Sequence, residues 1–413
     1  MKKGNIFFTI LIIACIVFAV KNFGDDGGST SGGDYGYSID WSEPKDDSDS
    51  SSSSSGNKYT GYTLPESRNM YKQLDSEEKR IYSEIRDGIA AGKSVIEIES
   101  DDYNRSVDAL YQAYDAVYYD FPEFFWINGG WKCNGDYKNG GYIIYFEPMF
   151  YDYWQYTNDK SGYIEAVIDE AQRIASMAAG LPTDYDKVKF VHDYLVVNAE
   201  YDYVCLEEIN KTVQRASSQQ SHTVYGCLVN KVTVCDGYTK TFQLIMSMLG
   251  IEAEYCEGDA GGGHAWNYVI LDGDEYWIDI TWDENELEDE HGRLLAPNGA
   301  NYDYFCVTDS KLYQTHTPEP DFKIPVCDST EYNFFVHEKS ELKYYDFGAV
   351  CTAIAEQNGA QIIHIRFGSN SELQKAIDDL VYNGSYKNIP QIAGKNPQFY
   401  SAQNGDTLHI YLQ

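Results

Sequence analysis

Apolar residues between positions 66 and 120 recur at helical spacing. Tyr71, Leu74, Ile81, Ile85 and Ile89 form one stripe with Glu and Lys between them, and Leu110, Tyr114, Val117 and Tyr118 form another. Asp120-Phe121-Pro122 stops the second stripe. A strand pair is predicted next, over Phe124–Asn128 and Tyr142–Glu147, around the turn-rich Asn134-Gly135 and Asn139-Gly140-Gly141. Two helices are predicted over 163–180 and 184–199. Val188, Val191, Leu195 and Asn198 share a face of the second, and Thr183 or Asp184 caps its start. From Tyr238 the apolar steps are four, three and four (Tyr238, Phe242, Ile245, Leu249), with Gly250 as the stop. A strand opens at Gly261, runs to Leu271 and turns at Asp272-Gly273 into a second strand, Glu275–Trp282. Beyond 331 strands are expected at Asn333–Val336, Gln361–Phe367 and Thr407–Leu412, with helices near 346–357 and 370–382. The pattern is that of an α+β protein.

Composition changes the picture at the ends of the chain and in its charge. The 413 residues carry 31 Lys+Arg against 65 Asp+Glu, a net −34. Residues 1–23 contribute +3 and residues 24–58 contribute −6, so about −31 belongs to 59–413. No basic footprint exists for nucleic acid, and charge alone offers no attraction to an anionic lipid surface. Lys2 and Lys3 precede an apolar run from Ile6 to Val20, broken only by Thr9. That is the form of an export segment, as an uncleaved membrane anchor, a cleaved signal, or a lipid-attachment box at Ile12-Ile13-Ala14-Cys15. Residues 24–58 hold 11 Ser and 7 Gly and read as a flexible tether. The expected location is the outer side of a cell membrane, with the membrane as partner through the N-terminal segment only.

The nine cysteines are scattered and contain no Cys-x-x-Cys pair, which gives no structural zinc signature. Asp283–Glu290 is acidic but lacks the glycine and ligand spacing of a calcium loop and reads as a solvated segment. The glycines at 261–263 precede a strand and lack a phosphate-loop lysine. No cofactor and no metal are predicted. His192 and Asp193 read as structural, and His364 and His409 as ordinary strand residues.

One constellation carries chemistry. Cys235 falls at the start of the Tyr238–Leu249 helix, where unpaired N–H groups favour a thiolate and a developing oxyanion. If Asp272 and Gly273 are the two loop residues of the hairpin, paired positions sum to 545. Trp266 then lies opposite Asp279, and His264 is diagonal to Asp279 on the same face. Cysteine, imidazole and carboxylate supply a nucleophile, a base and a group that orients the base.

Cys235-Asp236-Gly237-Tyr238-Thr239-Lys240, Gly263-His264-Ala265-Trp266-Asn267 and Trp277-Ile278-Asp279-Ile280-Thr281-Trp282-Asp283 together resemble the transglutaminase-like core of bacterial exported proteins. The resemblance spans roughly 160–310. It implies a cysteine-bearing helix packed on an antiparallel sheet, and Cys235, His264 and Asp279 as the triad. Val234 and Asp236 depart from the Gln and Trp that flank the cysteine in eukaryotic transglutaminases. Their second oxyanion donor has no evident counterpart, with Asn198, Tyr201 and Tyr225 open as candidates. The organisation expected is an anchor at 1–23, a tether at 24–58, an α+β domain at 59–160, the transglutaminase-like core at 161–328 and a small α/β domain at 329–413. The expected function is a cell-surface thiol enzyme acting on amide carbonyls of protein, peptide or cell-wall substrates through an acyl-enzyme. The alternative is a non-catalytic surface adhesion or scaffold protein that retains the fold.

Overall fold

A computed structural model describes residues 62–138, 140–208, 215–284, 300–319, 322–401 and 405–412. The N-terminal apolar run, the tether and residues 285–290 of the acidic stretch lie outside the described residues. No described helix is long and apolar enough to cross a membrane. The chain divides into two compact units. The first comprises Met1–Val191, Asn198–Val269 and Tyr313–Pro325; the second comprises His192–Val197, Ile270–Leu312 and Val326–Gln413.

In the first unit, the Ser76–Ala90 helix opens on a capping box in which Asp75 and Glu78 each bond the other's backbone N–H. The Tyr103–Asp120 helix opens on Asp102, which accepts from the Arg105 N–H. Ile81, Ile85 and Ile89 form the buried face of the first helix and Leu110, Tyr114 and Val117 that of the second, while Tyr71 and Leu74 of the first stripe lie before it, in the separate short helix Asn69–Gln73 and at its C-cap. These helices contact a three-stranded antiparallel sheet ordered Ile96–Ser100, Gly141–Phe150, Ile127–Lys138. Here the predicted strand ends are corrected. Pro122–Phe124 is a 3-10 turn, and the following strand runs straight through Asn134-Gly135. Gly135 serves a packing purpose there: a Cβ would sit 2.3 Å from the Tyr103 ring.

The centre of this unit is the Cys235–Met248 helix. It lies between the Lys160–Ala178 helix and the Ala253–Asp259 strand. Tyr238, Phe242 and Ile245 are fully buried, and Gly250, at φ +72°, ends the helix. The burial is not confined to one face, because every residue from Gly237 to Met246 is covered. The strand Ala253–Asp259 pairs antiparallel with the following strand, from Ala253↔Val269 to Asp259↔Gly263. On its other edge Gly258 pairs with Pro318.

In the second unit the hairpin turn is present as read. Asp272 at φ 52° and Gly273 at φ 92° supply the two positive-φ residues of a type I′ turn. The strand after it is shorter than expected, Asp274–Ile278. Asp279 leaves the strand and caps a short helix, Ile280–Asp283, by accepting from the Trp282 N–H at 3.2 Å. The C-terminal part forms a four-stranded sheet in the order Glu341–Leu342, Ile362–Phe367, Thr407–Leu412, Pro397–Ser401. Helices Phe347–Glu356 and Asn370–Ile377 accompany it, and Val350, Ile354, Ile363, Ile365, Leu408 and Ile410 lie in its core. The strand predicted at Asn333–Val336 is instead the short helix Phe334–His337, entered from an extended Asn333.

Candidate active site

Cys235 is the first residue of its 14-residue helix and is 2% exposed. It is one of eight described cysteines, none of them in a disulfide. The position follows from its neighbours. Val234 is extended and donates its N–H to the Ser221 carbonyl at 3.0 Å. Gly237 lets the first turn press against the same segment. A Cβ there would meet Thr233 Oγ1 at 2.0 Å, the Ser221 carbonyl at 2.8 Å and the Thr223 carbonyl at 3.0 Å. The Cys-Asp-Gly sequence is therefore a steric requirement of a helix start wedged into the core.

Asp236, the next residue, is half-buried and ionised. Tyr255 Oη donates to its carboxylate at 2.9 Å, Lys240 Nζ lies at 3.2 Å and His222 Nδ1 at 3.8 Å. Burial pushes this carboxyl up, but Lys240 and His222 outweigh burial and hold it at about 2. Burial pulls His222 down, but Asp236 and Cys205 prevail and raise it to about 10. The His222 Nε2 lies 3.4 Å from Cys205 Sγ. Lys240 also reaches the Tyr118 hydroxyl at 2.8 Å and sits 4.2 Å above the Tyr118 ring. Lys240 and His222 thus offset the Asp236 charge beside the first turn. An isolated Asp236 would have opposed a thiolate at Cys235; in this setting it does not.

His264 lies at the start of the Gly263–Leu271 strand, opposite Gly258, and is 8% exposed. Its ring stacks on Trp266 at 5.8 Å. Asn267 ties this strand to the cysteine helix. Its Nδ2 donates to the Thr239 carbonyl and the Glu254 carbonyl, each at 3.1 Å. Thr239 in turn donates its hydroxyl to the Cys235 carbonyl at 2.8 Å. The Asn of Gly-His-Ala-Trp-Asn is thus a strut between the strand that carries His264 and the first turn that carries Cys235. Asp279, in the second unit, is fully buried. Its backbone N–H donates to the Tyr304 carbonyl at 3.2 Å, and its side chain caps the helix that follows.

Residues 171–281 match the family model of the transglutaminase-like superfamily. This match covers the cysteine helix, the strand of His264 and Asp279. Among solved structures, a TGase is similar at 18% identity over 38% of this chain and 46% of that one, with a TM-score of 0.29. A candidate cysteine protease from Cytophaga hutchinsonii is similar at 14% identity over 42% of this chain and 65% of its own, with a TM-score of 0.23. A candidate protease from Parabacteroides distasonis follows at 8% identity, 45% and 37% coverage and a TM-score of 0.20. This chain spans less than two thirds of the length of each. No curated protein matches it.

Around the transglutaminase-like core, the three residues considered as a second oxyanion donor are placed as follows. Tyr201 sits in a two-residue strand paired with Thr233, two positions before Cys235. Tyr225 packs its ring against Tyr163 at 4.5 Å and Phe125 at 6.2 Å. Asn198 ends the Asp184–Asn198 helix. The sequence reading missed the His222–Asp236–Lys240 network, because its members come from two elements and only the Asp236–Lys240 spacing is local. It also missed His316, which is 1% exposed and has its ring 5.6 Å from that of His264. No periodicity or motif marks His316, since it stands alone between a short helix and a two-residue strand.

Proposed function

We propose that the transglutaminase-like core is a thiol enzyme acting on amide carbonyls, with Cys235 as nucleophile, His264 as base and acid, and Asp279 as the group that orients His264. The observation that carries this reading is the seat of Cys235 at a helix start, with the strand of His264 strutted to the same turn by Asn267. Support for Asp279 comes from the Asp272-Gly273 type I′ turn, the condition on which the sequence reading set Asp279 diagonal to His264; Asp279 directly follows the last strand residue, Ile278.

In this mechanism His264 takes the Cys235 proton and the pair rests as thiolate and imidazolium. The sulfur attacks the carbonyl carbon of an amide, and the helix-start N–H groups receive the oxyanion. His264 then returns the proton to the leaving amine, and the C–N bond breaks to leave a thioester. Water or a second amine attacks the thioester with His264 as base, which gives hydrolysis or cross-linking respectively. Asp279 fixes the tautomer and favours the charged ring. The substrates of this reading are proteins, peptides or cell-wall peptides, and the site of action is the outer face of the membrane, tethered through residues 1–58.

Iodoacetamide labelling at pH 6–7 tests the reading. Cys235 is expected to react at least about tenfold faster than the other thiols, and His264→Ala to abolish the excess. Equal, slow labelling of all cysteines would overturn the enzyme and leave the scaffold reading.

A further inference from the structure

His264 has a second imidazole beside it that the acyl-transfer mechanism does not use. The strand Ala253–Asp259 runs between the two histidines. His264 pairs with Gly258, and Gly258 pairs with Pro318, two residues after His316. Gly258 makes the approach possible. A Cβ at this position would lie 2.2 Å from the Thr317 carbonyl and 2.8 Å from the Glu319 nitrogen. Trp266 borders both rings, at 5.8 Å from His264 and 4.9 Å from His316.

The two side chains can each present a ring nitrogen within 4.8 Å of the other's. Two imidazole ligands on a tetrahedral zinc ion stand about 3.4 Å apart, from bonds of roughly 2.1 Å. Small rotations about the side-chain bonds close that difference. Thr315 Oγ1 lies 2.8 Å from His316 Nδ1, so the hydroxyl orients the ring, and the tautomer in which Nδ1–H donates to it leaves Nε2 to coordinate. Imidazole donors select zinc and its transition-metal neighbours over calcium and magnesium, which take oxygen.

We propose that His264 and His316 form a binding site for a divalent transition-metal ion, zinc first, whose occupancy switches the thiol site off. The proposal rests on the triad reading in one respect: that reading gives the metal its consequence, because a zinc-bound His264 can neither hold the Cys235 thiolate nor move its proton. Binding needs no redox step. It displaces a proton from any ring that carries one and is reversed by a chelator.

The experiment uses the full chain, stripped with a chelator and titrated with zinc chloride against a chromogenic competitor. One zinc per chain is expected, with affinity weakened at least about tenfold in His316→Ala and in His264→Ala. Cobalt(II) bound at the same site is expected to show the visible bands of a tetrahedral centre. His316 is buried, so His316→Gln is titrated alongside. A measurement on the unsubstituted protein also stands independently: zinc is expected to protect both His264 and His316 from diethyl pyrocarbonate, mapped by mass spectrometry. Absence of zinc binding, unchanged affinity in the His316 variants, or modification of both rings regardless of zinc would overturn the site. The two readings fail separately. Zinc binding that needs both histidines, with a Cys235 no faster than the other thiols, keeps the metal site and removes the triad. A fast Cys235 that zinc does not slow keeps the triad and removes the switch.

Discussion

Replacing Gly237 with alanine should loosen the helix that carries Cys235. Alanine in a helix interior normally gains about 1 kcal/mol over glycine, and less in the first turn. At this position the added methyl would lie 2.0 Å from Thr233 Oγ1, with carbonyl oxygens of Ser221 and Thr223 at 2.8 and 3.0 Å. Thr233 is fully buried and its hydroxyl donates to the Ser221 carbonyl at 2.9 Å, so turning it aside forfeits a bond worth about 1 kcal/mol. The two carbonyls belong to backbone and must shift by several tenths of an ångström, an overpacking that typically costs about 1–3 kcal/mol. The net expectation is a loss of about 2 kcal/mol, or roughly thirtyfold in the local opening constant. Hydrogen exchange across residues 238–249 reads that opening directly and does not require the whole chain to unfold in one step. A Thr233→Ala background removes the hardest contact, so the double variant should lose less than the sum of the singles, by about 1 kcal/mol or more. Equal or greater protection in Gly237→Ala would refute the account of the Cys-Asp-Gly turn as a steric requirement.

Two further predictions concern buried charge. Burial first, and the nearby Asp120 second, raise Glu254 to about 8, so the folded state binds a proton that the unfolded chain releases near 4.5. Stability should therefore fall as pH rises from about 5 to 8, and Glu254→Gln should flatten that slope in urea titrations taken across this range; an unchanged slope would remove the cause. In the second unit, His192 is fully buried between Asp193 at 3.0 Å and Asp283 at 3.2 Å, while burial lifts Asp283 to about 7 despite the imidazole. His192→Gln should cost about 3 kcal/mol or more in urea titrations at neutral pH, because it leaves Asp283 buried without its imidazole partner; a loss under about 1 kcal/mol would show that the pair carries no such stabilisation.

What the sequence made legible followed from local period and local turn chemistry. The Tyr238–Phe242–Ile245 face, the Gly250 stop and the Asp272-Gly273 turn each depend on residues within a few positions of one another. The errors arose where a distant partner decided the outcome. Asn134-Gly135 has the composition of a turn, yet it lies in mid-strand because the Tyr103 ring fills the space a side chain would take. The register from the Asp272-Gly273 turn places Asp279 within the strand expected at Glu275–Trp282. Asp279 ends that strand because a carboxylate can satisfy the next turn's N–H groups better than a further ladder residue can. Lys240 is the same lesson in electrostatics. On the helical wheel it belongs to a solvated side, but it is 6% exposed, and its charge is matched one turn back by Asp236 and from above by the Tyr118 ring.

The same distinction explains why the candidate nucleophile was visible and its surroundings were not. A thiol at a helix start, a glycine two residues later and an asparagine three residues after a histidine all leave marks on the linear pattern. His222 is brought to Asp236, and Cys205 to His222, by folding alone, as His316 is brought to His264 across a glycine that shows no sign of its purpose in the sequence. The electrostatic setting of the site therefore comes in part from residues outside its motifs. A variant that keeps Cys235, His264 and Asp279 but replaces Lys240 with methionine leaves Asp236 with His222 as its nearest cation. The field at the helix start then turns less favourable to a thiolate, although no residue of the proposed triad has changed. A motif match alone does not carry that information; the packing of the first turn does.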